Sequence, residues 1–200
     1  MGKKLDILAR WQITPQEFTR LVDKNPSLRG MLLGYLAELK VEQLLSAHTE
    51  VTYSTKYDDH DRKKKGDCFI TYRGQDFVVE VKSLQTNSVK KEDDRWIGKV
   101  QVDASDRRQV TLPDGSTLAT TCLLAGGFDL LAVNLFAFEE EWRFAFAKNS
   151  DLPRSKYKKY TPKQRQWLLA TLVRVTWPPE PPFHAEPFGL LDEIARDRTR

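Results

Sequence analysis

The chain has 200 residues and a formal net charge of +4, enough for one domain with a sizeable core and basic enough to suit a polyanionic partner without proving one. Its cysteines, Cys68 and Cys122, and its histidines, His48, His60 and His184, are scattered without CxxC or Cys/His spacing, which argues against a disulfide scaffold or a zinc site. No apolar run reaches membrane-spanning length and the start MGKKLDILARW is not a secretory signal, so no membrane association and a cytoplasmic location are expected.

In chain order, Thr14-Pro15-Gln16-Glu17 is a helix start, with a capping threonine, a proline at the first helical position and a glutamate two residues later. That helix runs to about Lys24, and residues 1–27 form an N-terminal helical extension. Asn25-Pro26-Ser27 opens a longer helix to about Ala47, with Ser27 as N-cap. Leu32, Leu33, Leu36, Leu39, Leu44 and Leu45 give it a wide apolar face. Gly30, Gly34 and Ala37 form a small-residue strip, with Glu38 on its side. Val51 to Thr55 is a first strand and Tyr57 to Gly66 a charged loop. Two apolar runs follow, Cys68-Phe69-Ile70 and Val78-Val79, joined through Gly74 and Gln75.

Beyond them, Leu84 to Arg95 is polar and reads as a mobile loop, and Trp96 to Val102 as a strand. Gln109 to Leu124 forms a hairpin about Pro113-Asp114-Gly115. Phe128 to Phe138 is nearly all apolar and reads as a buried central strand, with Trp142 to Lys148 as its partner. Thr161-Pro162 opens a helix through Leu172, and Val173 to Trp177 is a short strand. The proline-rich stretch from Pro178 to Pro187 wraps the surface, and Gly189 to Arg198 is a terminal helix. The expected division is 1–27, a core over 28–177, and a C-terminal segment over 178–200, one domain overall.

The chemistry concentrates in Gly66-Asp67 and Glu80-Val81-Lys82. Antiparallel pairing of the two runs brings Asp67 to the same end as Glu80 and Lys82. Glu80 and Lys82 are two apart in a strand and leave the same face. Two carboxylates and one ammonium group then share a small volume, an arrangement suited to a hard divalent cation beside an anionic phosphate. A plain cross-strand salt bridge to Lys82 accounts for the same residues. Lys82 beside two carboxylates stays protonated unless a metal offsets their charge, so it is better placed as an electrostatic clamp than as a proton acceptor.

Asp67, a twelve-residue gap, then Glu-X-Lys on consecutive strands resembles the PD-(D/E)XK nuclease superfamily, with Gly66 in place of the usual proline. The run Gly34 to Glu38 is similar to that superfamily's first helix, and the alternative for Glu38 is a solvated pair with Glu42. The resemblance covers roughly residues 28–148. It implies an α/β restriction-endonuclease-like sandwich with a central mixed β-sheet flanked by helices. It also implies a catalytic set of Asp67, Glu80, Lys82 and Glu38, with one or two Mg²⁺ ions held by Asp67, Glu80 and the main-chain carbonyl of Val81. The superfamily's helix between the third and fourth strands has no counterpart, because residues 104–127 read as a hairpin.

Arg62, Lys63, Lys64 and Lys65 precede the motif, Arg107 and Arg108 follow it, and all six are candidate DNA contacts. The segment Arg154 to Arg165 adds lysines interleaved with Tyr157 and Tyr160. The expected function is a Mg²⁺-dependent endodeoxyribonuclease acting on double-stranded DNA as a homodimer, similar to type II restriction enzymes. The alternatives are a non-catalytic DNA-binding or complex-forming module on the same fold, or a nuclease for branched DNA or RNA.

Overall fold

The computed structural model describes residues 6–56 and 66–199. The basic run Arg62–Lys65 lies outside them. The chain forms two compact units, Met1–Leu36 and Ala37–Arg200.

The first unit is helical. Helix α1 (Ile7–Trp11) is capped by the Asp6 side chain, which accepts from the Ala9 amide. Helix α2 (Pro15–Lys24) carries the expected capping box between Thr14 and Glu17. Neither helix buries a residue. Helix α3 (Pro26–Ser46) begins with proline at its first position. Ser27 is therefore inside the helix and not its cap: proline needs no amide partner there, which moves the start forward. The Asn25 side chain serves α2 instead, donating to the Leu21 carbonyl at 2.7 Å.

The second unit is built on a five-stranded sheet ordered β1 (Val51–Lys56), β2 (Cys68–Tyr72), β3 (Gln75–Ser83), β8 (Leu130–Asn134) and β9 (Phe144–Lys148). All neighbours are antiparallel except β3 and β8, which makes the sheet mixed. The β2–β3 turn places Arg73 and Gly74 both at positive φ, the geometry of the tight hairpin turn that matches strand twist. Between β3 and β8 the chain makes β4 (Lys90–Glu92), β5 (Arg95–Gln101), β6 (Asp103–Thr111) and β7 (Thr117–Cys122). Strands β4 and β5 join β10 (Leu172–Trp177) in a second sheet, and β6–β7 is a separate two-stranded ribbon.

One face of the main sheet is covered by the end of α3 and by α6 (Phe188–Arg198): Ala37, Val41, Leu45, Leu190 and Leu191 pack with Cys68, Ile70, Phe77 and Val79. The opposite face meets the second sheet through Leu84, Val100, Leu131, Val133 and Val175. The architecture is mixed α/β, a five-stranded mixed sheet flanked by helices. Strand β8, enclosed on both faces, is buried at every position, and so has no polar alternation.

Several expectations are corrected. In the second unit, α3 buries Ala37, Val41 and Leu45, while Leu39 and Leu44 stay exposed. The sheet meets the side that carries Ala37; of the expected leucine face in this unit it covers Leu45 and leaves Leu39 and Leu44 outside. Leu84 to Arg95 is not a plain loop: it holds a 3₁₀ turn at Thr86–Ser88 and strand β4. Phe128 to Phe138 is a strand only over Leu130–Asn134, because the Asn134 side chain accepts from the Phe136 amide and starts the short helix α4 (Phe136–Glu139). The helix expected through Leu172 is the single turn α5 (Pro162–Arg165). Leu168 and Leu169 are both fully buried, but in different clusters, and bridge to Leu124 and Arg154 respectively. Consecutive residues buried in opposite directions suit extended backbone, not a helix face.

Candidate active site

Strand β2 begins at Cys68, opposite Val79 of β3. The residues before it leave the sheet through Gly66, whose φ of +75° is outside proline's range. This accounts for glycine where the resembled motif has proline. A Cβ built on Gly66 would stand 2.4 Å from Val78 Cγ1 and 3.0 Å from the Val79 carbonyl oxygen. Gly66→Ala is therefore expected to cost about 1–3 kcal/mol through backbone strain and crowding, read as a lower urea midpoint. An unchanged midpoint would show that the turn relaxes freely.

Asp67 then takes the place a further β2 residue would have had. Its amide donates to the Val79 carbonyl at 2.9 Å, and its Oδ2 accepts the Val81 amide at 2.7 Å. The side chain thus continues the ladder of β3 past the end of β2. Backbone groups of residues two apart face the same side of a strand. The Val81 carbonyl therefore faces that same open edge.

Glu80 and Lys82 alternate with the buried Val79 and Val81 and leave the other face of β3. Lys82 Nζ lies 2.5 Å from Glu80 Oε1, with side-chain exposures of 24% and 10%. Glu38, on the α3 turn above Cys68, pairs with Lys56 at 2.8 Å, and its backbone carbonyl faces the Cys68 thiol. The structure brings Asp67, Glu80 and Lys82 together and places Glu38 at their margin. Lys56, at the end of β1, belongs to the same group. It had no motif of its own, and only the pairing of β1 with β2 brings it there.

Among the described residues this group sets Glu38, Asp67 and Glu80 against Lys56 and Lys82, and its titratable members are shifted by burial and by one another. Burial pushes Glu80 above the ordinary carboxylate range and Asp67 adds to the effect, while Lys82 and Arg108 pull it back. Burial alone would lower Lys82, but the Glu80, Asp67 and Glu38 carboxylates outweigh it and hold the ammonium above the ordinary lysine value. The Cys68 thiol is pushed up to about 12, mainly by burial and then by Asp67, Glu38 and Glu42. Such a field favours any added cation. Among the described residues no three His, Cys, Asp or Glu side chains are arranged to hold an ion. The cluster offers oxygen donors instead, carboxylates and a main-chain carbonyl, the chemistry that hard divalent cations take.

Of the remaining candidates, Arg107 and Arg108 are exposed on β6. The Arg107 guanidinium donates to the Ala119 carbonyl across the ribbon, whereas the charge of Arg108 acts on Glu80.

The fold and this cluster describe a mixed α/β domain with an acid–acid–lysine group at the end of a central strand. No family model and no curated protein matches the chain. Among solved structures it is similar to a bacterial homing endonuclease, I-Ssp6803I, at 18% identity and a TM-score of 0.35, over 71% of this chain and 87% of that one. A likeness of that size assigns neither activity nor substrate here. No helix among the described residues is long and apolar enough to cross a membrane.

Proposed function

We propose that this chain is a metal-dependent endodeoxyribonuclease of the PD-(D/E)XK type, hydrolysing phosphodiester bonds in DNA much as type II restriction enzymes do. The observation that carries this reading is the meeting of Asp67, Glu80 and Lys82 where β2 leaves the edge of β3. A plain salt bridge would need only Glu80 and Lys82. It does not account for placing the charge of the second carboxylate beside the buried first one, whose cost it raises, when a neutral acceptor would cap the β3 ladder as well.

Asp67, Glu80 and the Val81 carbonyl would hold one or two Mg²⁺ ions. When bound, such an ion polarises a phosphate and lowers the pKa of a coordinated water. Lys82 donates to the attacking water or to a non-bridging phosphate oxygen, and as the scissile phosphate gains charge the ammonium stabilises it. In the absence of a metal the Glu80, Asp67 and Glu38 carboxylates hold Lys82 above its ordinary value, so orienting the water and neutralising charge suit it better than accepting the proton. Attack at phosphorus forms one P–O bond and breaks the bond to the 3′-oxygen, leaving a 5′-phosphate. Glu38 positions Lys56 and adds to the field on Lys82. Cutting both strands of a duplex calls for two such centres, and a homodimer supplies them.

The test is incubation of supercoiled plasmid with the full chain and Mg²⁺, with and without EDTA. Nicked and linear products that vanish with EDTA are expected. Intact plasmid at every metal tried, with DNA still bound, would leave a non-catalytic binding module.

A further inference from the structure

Several cations of the second unit are neutralised. Arg73 pairs with Glu50 and Asp192, Arg143 with Glu139, and Arg174 with Glu180. Lys90 meets Glu92 and Arg95 meets Glu180. Lys91, Lys99, Arg107, Arg108 and Arg196 are exposed without an ion pair among the described residues, and one short stretch departs further from pairing. Lys156, Lys158 and Lys159 are exposed around the half-exposed Tyr157, and among the described residues none of the three has an ion-pair partner.

The place of this stretch in the fold gives the departure meaning. It is fastened to the β6–β7 ribbon at two points. Lys163 Nζ lies 2.9 Å from Asp114 in the ribbon's turn, and the Tyr160 hydroxyl is 2.7 Å from Thr120 Oγ1. Leu112 and Cys122 from the ribbon share a small core with Leu168 beyond the stretch. The ribbon is thus braced. Its root carries Arg108, set where the β6 register slips against β7, and the charge of Arg108 reaches Glu80. A register slip of this kind re-aims side chains.

We propose that the ribbon and the Lys156–Lys163 stretch form one basic arm that meets the phosphate backbone of a DNA duplex beside the cleavage site. Tyr160 reaches Thr120, the residue opposite Arg108, so Lys156, Lys158 and Lys159 meet phosphate on the same side of the ribbon's root as Arg108. This rests on the nuclease reading only for where the cut falls. The binding itself is independent of catalysis.

The experiment titrates a labelled DNA duplex with the full chain in EDTA over a range of salt concentrations, comparing the parent with the triple variant Lys156→Gln, Lys158→Gln, Lys159→Gln. These exposed substitutions leave the braces untouched, and a thermal melt checks that the fold is kept. The variant is expected to bind at least about tenfold more weakly, whatever the duplex sequence, and its plot of log affinity against log salt to flatten by about 2–3. Unchanged affinity and slope overturn the arm. Parent protein that binds the duplex but leaves plasmid intact with Mg²⁺ removes the nuclease reading and keeps the arm. Cleavage by the parent with an unaltered salt slope in the variant does the reverse.

Discussion

Asp67→Asn is expected to lower plasmid cleavage by at least about 10²-fold while leaving stability within about 0.5 kcal/mol of the parent. The two effects separate because Asp67 has two tasks. As a carboxylate it supplies charge for a cation. As an acceptor it completes the β3 ladder through the Val81 amide. Asparagine keeps an oxygen that can accept that amide but loses the charge. Asp67→Ala loses both, and leaves a buried amide without its partner at a cost of about 1–2 kcal/mol. Urea unfolding in EDTA beside cleavage in Mg²⁺ reads both properties. Near-parent cleavage by Asp67→Asn would remove this residue from the chemistry and leave it a strand cap.

Lys82→Met is expected to stop cleavage by a similar factor and also to destabilise the protein in a pH-dependent way. Its alkyl chain fills the space, but Glu80 is stranded, and losing one member of a buried ion pair costs about 3–5 kcal/mol at neutral pH. The direction with pH follows from Glu80. Its folded pKa lies above the ordinary 4.5, burial being the main cause. A group raised in this way contributes stability that is present below the unfolded value and lost as pH rises through the folded one. Without Lys82 the folded value climbs further. Variant and parent should then differ little near pH 4 and progressively more toward pH 8. In the parent, Lys82 is itself raised, so its stabilisation is present below the ordinary lysine value and lost only at more alkaline pH. Urea midpoints across this range, in EDTA, check the trend. A constant offset at every pH would mean that Glu80 does not carry the effect.

How much of this was legible in the sequence depends on how local each signal is. The capping box at Thr14, the turn at Pro113-Asp114-Gly115 and the alternation around Glu80 are written within a few residues, and each appears where the sequence places it. Asn134 was not legible as a strand stop, because its role depends on a bond back to the Phe136 amide within an apolar run. The α3 leucines misled for a different reason. Periodicity identifies an apolar stripe but not which side meets a sheet, and here the sheet meets Ala37, Val41 and Leu45. Leu168 and Leu169 fit a helix by composition, and only the two clusters that claim them impose extended backbone.

The site divides along the same line. Asp67, Glu80 and Lys82 were readable because a hairpin of known register carries all three, and strand alternation alone puts two side chains on one face. Lys56, Arg108 and the brace from Lys163 to Asp114 join across long stretches of chain, and no spacing rule connects residues that meet only through tertiary packing. The sequence by itself determined the hairpin and its charges. The tertiary structure decided which further charges surround them, because long-range electrostatics depends on where distant segments come to rest.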